Sequence, residues 1–177
     1  MEVSAFQKNG KIAEYQAFKE IVAEFMYQMN ELKEKPQITY SRAFNDIVYT
    51  ENGETIPVNY LSAGYQSLLW MVMDMAFRMA VLNPGKASLN ECEGIVLIDE
   101  VDMHLHPKWQ WKIVDALQKS FPKIQFILAT HSPIIISSCK NAALLEIDGN
   151  QEVSELSDAY ASVSYTHLRA HETRRHL

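Results

Sequence analysis

Gly94-Ile95-Val96-Leu97-Ile98-Asp99-Glu100 sets an aliphatic run directly ahead of two carboxylates. A buried strand fixes whatever stands at its tip, so Asp99 suits a magnesium ion that offsets the charge of bound phosphates. Glu100, one position on, projects differently and is placed to take a proton from an attacking water, the work of a general base. The competing reading is an apolar strand that ends in a solvated acidic turn. A second apolar run, 124–129, leads into Thr130-His131-Ser132-Pro133. A residue at the C-terminal end of a parallel strand faces the crevice where ligands bind, so His131 can hydrogen-bond a phosphate or orient a water. Alone, it can equally bond a local carbonyl.

Two further segments flank these. Leu61-Ser62-Ala63-Gly64-Tyr65-Gln66-Ser67 opens a long apolar stretch. Small residues at a helix start leave free amides and a positive dipole end, which favour an anionic phosphate; Gly64 permits close approach and Ser62 adds a hydroxyl donor. The plain alternative is an ordinary helix cap. Val101-Asp102-Met103-His104-Leu105-His106-Pro107 follows the two acids. Asp102 with His104 and His106 supplies too few fixed ligands for a metal centre, and a turn packed beside the site fits better.

The elements that must position these residues alternate along the chain. In residues 15–35, Phe18, Ile21, Val22, Phe25, Met26, Met29 and Leu32 recur at three and four, predicting an amphipathic helix that ends before Pro36. Residues 46–50 and 55–59 flank Glu51-Asn52-Gly53-Glu54, a tight hairpin turn. A helix over 64–82, apolar on most faces and so expected to be buried, ends at Asn83-Pro84-Gly85. Strand 94–98 is expected to be central, with both faces covered. A helix over 107–121 starts at Pro107, and 124–129 and 142–147 follow as further buried strands. Strand, helix and strand with short links predict an α/β layered sheet with right-handed crossovers.

Composition narrows the function. With 177 residues, 47% of them hydrophobic, the chain holds one ordinary core. A formal charge of −6 gives no basic footprint for a phosphate backbone, so nucleic acid is not expected to bind through this acidic stretch. Asp74 and Arg78 interrupt the longest apolar run, so no membrane span and no signal peptide are read. Cys92 and Cys139 lie far apart without metal spacing, which suits a reduced, cytoplasmic compartment.

In order, LSAGYQS, IVLIDE with VDMHLHP, and ATHSP resemble the signature, Walker B, D-loop and switch-histidine segments of ABC-type ATPase heads. The branch they resemble contains SMC-like, RecF-like and OLD-type proteins, and most of all the AAA-labelled ATPases of retron and Septu-like antiphage systems. The resemblance covers about 46–148. It implies the C-terminal part of a P-loop NTPase, a mainly parallel sheet flanked by helices and preceded by a helix and a β-hairpin. It implies ATP and Mg2+ as ligands and a homodimer of heads closing around ATP. Ser62 and Gly64 then reach the nucleotide of the opposite protomer, with Gln66 and Asp102 also at the nucleotide and residues 102–106 along the dimer interface. Asp99 serves Mg2+, Glu100 activates water and His131 senses the γ-phosphate. A nuclease or toxin is the implied effector; DNA repair in the RecF/SMC manner, or a scaffold with incidental hydrolysis, are the alternatives.

The chain departs from that pattern in one respect. Neither Gly10-Lys11 nor Gly85-Lys86 completes G-x-x-x-x-G-K-[ST], so the phosphate-binding loop is absent and the chain alone is expected to be inactive. Residues 1–45 read as a helical segment of the head and 46–162 as the motif-bearing part. The stretch VSYTHLRAHET, 163–173, resembles a translated sequencing adapter, which makes 163–177 a non-native tail. Its three histidines sit in a stretch with no apolar period.

Overall fold

The computed structural model describes residues 2–139 and 142–156; the adapter-like tail lies outside them. Helix α1 (Glu2–Asn30) buries Ile21, Val22, Phe25, Met26 and Met29, the face predicted by their spacing. It stops short of position 35. Glu31 takes a left-handed φ of 52°, and the Leu32 N–H reaches back to the Tyr27 carbonyl at 3.4 Å, which closes the helix in the Schellman manner.

Strands β1 (Gln37–Ser41), β2 (Asp46–Glu51) and β3 (Glu54–Pro57) form an antiparallel sheet in that order. The hairpin is where the sequence put it: Asn52 (φ 51°) and Gly53 (φ 84°) both supply the left-handed backbone of a two-residue turn. β1 follows Pro36, beyond the predicted helix but within the 1–45 segment, and it pairs Ile38 with Tyr49. Helix α2 (Ala63–Leu82) then buries Leu68, Leu69, Val72, Ala76 and Met79 against α1. One face of it stays in solvent, contrary to the expected burial, with Trp70, Phe77 and Val81 exposed.

Strands β4 (Gly94–Ile98) and β5 (Ile124–Leu128) pair in parallel, Ile98 opposite Leu128. The crossover between them is two helices rather than the single one expected, α3 (Pro107–Gln110) and α4 (Ile113–Ser120). Between them the Lys112 N–H bonds the Trp109 carbonyl at 2.9 Å, a tighter turn than an α-helix makes. Ile113, Ala116 and Leu117 of α4 complete the core with α1 and α2. Val96, Ile98, Phe126 and Leu128 face this core.

Among the described residues, the opposite face of the parallel pair is left exposed. Ile95, Leu97 and Ile127 are 63%, 72% and 51% exposed, so the expectation of a strand covered on both sides is corrected to one covered face. The segment read as a third buried strand is corrected too: β6 (Leu144–Ile147) pairs antiparallel with β7 (Val153–Leu156), and Leu145 and Ile147 are exposed. A short helix not foreseen, α5 (Pro133–Ser138), follows His131. Among the described residues, no helix is long and apolar enough to cross a membrane.

Candidate functional site

Parallel pairing places the carboxyl ends of β4 and β5 side by side. The Ala129 N–H bonds the Ile98 carbonyl at 2.9 Å and the Val101 N–H bonds the Ala129 carbonyl at 3.1 Å. Asp99 and Glu100 therefore leave the same end of the sheet as His131, and all three side chains are exposed. Asp99 Oδ1 accepts the Glu100 N–H at 3.0 Å. Glu100 sits at φ 47°, a left-handed conformation that costs a residue with a Cβ about 1–2 kcal/mol. Such backbone outliers gather at functional sites.

His104, in the following turn, is left-handed as well, at φ 63°. Its carbonyl meets the start of α2: a Cβ built on Gly64 would lie 2.9 Å from the His104 carbonyl oxygen and 3.0 Å from the Trp109 ring. The lack of a side chain at Gly64 is thus used inside the chain, against the turn that follows β4. An open cleft lies over this contact, lined by Asn30, Ser62, Gly64, His104, His106 and Trp109.

Ser62 caps α2 by position, yet its hydroxyl makes no capping hydrogen bond, which leaves an exposed donor at a helix N-terminus. Gln66 is occupied locally: its Nε2 donates to the carbonyls of Asn59 (3.0 Å) and Leu61 (2.8 Å) and so holds the chain entering the helix. His106 caps α3, its Nδ1 accepting the Lys108 N–H at 3.2 Å. Asp102 accepts the hydroxyl of Thr130.

The residues that lock these turns together carry no signal of that role in the sequence. Trp109 Nε1 donates to Asn30 Oδ1 (3.1 Å), Asn30 Nδ2 donates to the Tyr65 hydroxyl (2.8 Å), and Tyr65 in turn donates to Glu51 Oε2 (2.6 Å). The Tyr49 hydroxyl donates to the same oxygen at 2.6 Å. Burial, then the bond to Glu51, pushes both phenol groups well above the usual tyrosine range. Partners 79 and 35 residues apart leave no local pattern from which such a chain of bonds could be read.

The fold that carries this site is that of an SMC-type ATPase head. A solved SMC ATPase chain, from work on ATP-driven dimerisation and DNA-stimulated activation, matches with a TM-score of 0.64 at 15% identity, over 94% of this chain and 96% of that one. The chain belongs to the AAA ATPase domain family, whose sequence model matches residues 2–136. A retron Vc95 probable ATPase of Vibrio cholerae serotype O1 biovar El Tor is 47% identical over 93 residues, 52% of this chain and 18% of that protein. The Septu protein PtuA of Bacillus thuringiensis is 34% identical over 124 residues, 68% of this chain and 30% of that protein. The chain thus spans less than a third of either relative's length.

Proposed function

We propose that this chain, with its motif-bearing part at 46–162, belongs to a cytoplasmic ATPase whose heads close in pairs around ATP and part on hydrolysis. In this reading Glu100 takes the proton of the water that attacks the γ-phosphorus, and His131 hydrogen-bonds the γ-phosphate. Ser62 and the amides beside Gly64 meet the nucleotide carried by the opposite head. Gln66 shapes that corner by fixing the chain before it, and Asp102 belongs to the turn along the head-to-head interface.

Asp99 would hold Mg2+. Among the described residues no three His, Cys, Asp or Glu side chains converge. A lone carboxylate at an exposed strand tip fits an ion completed by phosphate oxygens and water rather than one caged by protein. Bound there, the ion neutralises phosphate charge.

The single observation that carries the reading is the register of β4 on β5, which sets two exposed acids and an exposed imidazole at one end of a parallel sheet. The phosphate-binding loop belongs, on this view, to the rest of the parent protein, which also covers the bare face of Ile95, Leu97 and Ile127; this chain alone is inactive. Its retron and Septu relatives support a place in antiphage defence; the load we propose for the switch is a nuclease or toxin effector.

Glu100→Gln in the full-length parent tests the assignment. It should lower steady-state phosphate release about 100-fold or more while ATP binding persists. Turnover within a few-fold of the parent protein would remove Glu100 from the chemistry and with it this reading.

A further inference from the structure

Thr130, beside His131, makes two hydrogen bonds in opposite senses. Its hydroxyl donates to Asp102 Oδ1 in the turn after β4, and its oxygen accepts the Ser132 N–H at 3.0 Å, on the far side of His131. Ser132 is buried, and its hydroxyl donates to Gln110 Oε1 at 2.7 Å while capping α5 through the amides of Ile134 and Ile135. Gln110 Nε2 then donates to the Leu105 carbonyl at 3.0 Å, and the Leu105 N–H returns to the Asp102 carbonyl at 3.1 Å. The Asp102 carboxylate can only accept and the Gln110 amide nitrogen only donate, while the Thr130 hydroxyl does both. The path is a closed ring that ties the turn after β4 to the loop after β5. His131 is bracketed within it and contributes no side-chain bond of its own to it.

We infer that Thr130 is a positioning residue: its hydroxyl fixes His131 in front of the Asp99–Glu100 end of the sheet by bonding Asp102 on one side and holding the Ser132 N–H on the other. The inference rests on the ATPase reading for its effect on turnover, but the ring itself can be tested without any activity. Valine matches threonine in shape and removes both bonds; serine keeps the hydroxyl.

Two measurements separate the claims. In this chain, the imidazole Cε1–H resonance of His131, assigned by its loss in His131→Gln, should move toward the position of a free histidine in Thr130→Val and stay in place in Thr130→Ser. An unmoved resonance in Thr130→Val overturns the inference whatever the protein hydrolyses. In the full-length parent, Thr130→Val should lower kcat about tenfold with little change in KM or melting temperature, and Thr130→Ser should restore it. Equal losses in the two variants, or a loss that tracks the melting temperature, overturn it too. If Glu100→Gln spares turnover while the His131 resonance moves as expected, the ATPase reading fails and the ring stands.

Discussion

Gly64 illustrates how one residue type can serve two readings. From sequence it permits close approach of a phosphate; in the fold its missing Cβ is the space into which the His104 carbonyl and the Trp109 ring press. Gly64→Ala should therefore destabilise the chain by about 1–3 kcal/mol through overpacking, seen as a lower urea midpoint at unchanged slope. A midpoint equal to that of the unaltered chain would show that the contact yields freely. Asp99, Glu100 and His131 were legible as strand-end residues, since each stands at the end of an apolar run, a pattern that short-range chemistry imposes. Thr130 and Gln110 were not, since what defines them is a partner 28 or 22 residues away, and only the pairing of β4 with β5 brings those partners within reach.

Elements were read well where local chemistry decides them. The Asn52-Gly53 turn and the buried face of α1 follow directly from backbone preference and period. The split between α3 and α4 did not show, because Trp109 turns toward Asn30 and Lys112 toward Glu31 (2.7 Å), both contacts with the distant end of α1. The bare face of β4 and β5 was misread for a related reason: continuous apolarity specifies a strand to be covered on both sides, but not which chain segment does the covering.

The tyrosine pair links sheet to helix in a way that pH can probe. Tyr49 on β2 and Tyr65 on α2 share Glu51, and burial foremost keeps both phenols protonated in the folded state. Their folded pKa values lie above the unfolded value near 10, so their contribution is complete below about pH 10 and is lost as pH rises beyond it. Urea midpoints should hold steady from pH 8 to 9 and fall toward pH 11. In Tyr49→Phe the midpoint should start lower but fall less steeply. An equal fall in both would exclude Tyr49 from the linkage.

At the scale of the whole molecule, the exposed apolar surfaces and the family membership point the same way. The chain covers 18% of a retron ATPase and 30% of PtuA, and its parallel sheet presents one uncovered aliphatic face. An α/β sheet of this kind is stable and functional when both faces are packed. In the proposed assembly the rest of the parent covers that face and a second head meets the corner formed by Ser62 and Gly64. Ser62 is exposed and makes no capping bond, so a bulky substitution there should block an incoming nucleotide while leaving α2 intact.

Mixing two inactive full-length variants tests this division of labour most directly. Glu100→Gln and Ser62→Arg should each abolish phosphate release alone. Combined in equal amounts, they should form mixed dimers with one intact site, built from Glu100 of one protomer and Ser62 of the other. Half the dimers are then mixed and half their sites are whole, so activity should return to about a quarter of the parent level. A mixture as inactive as its components would contradict the account, because it would mean that Ser62 and Glu100 do not meet across two heads.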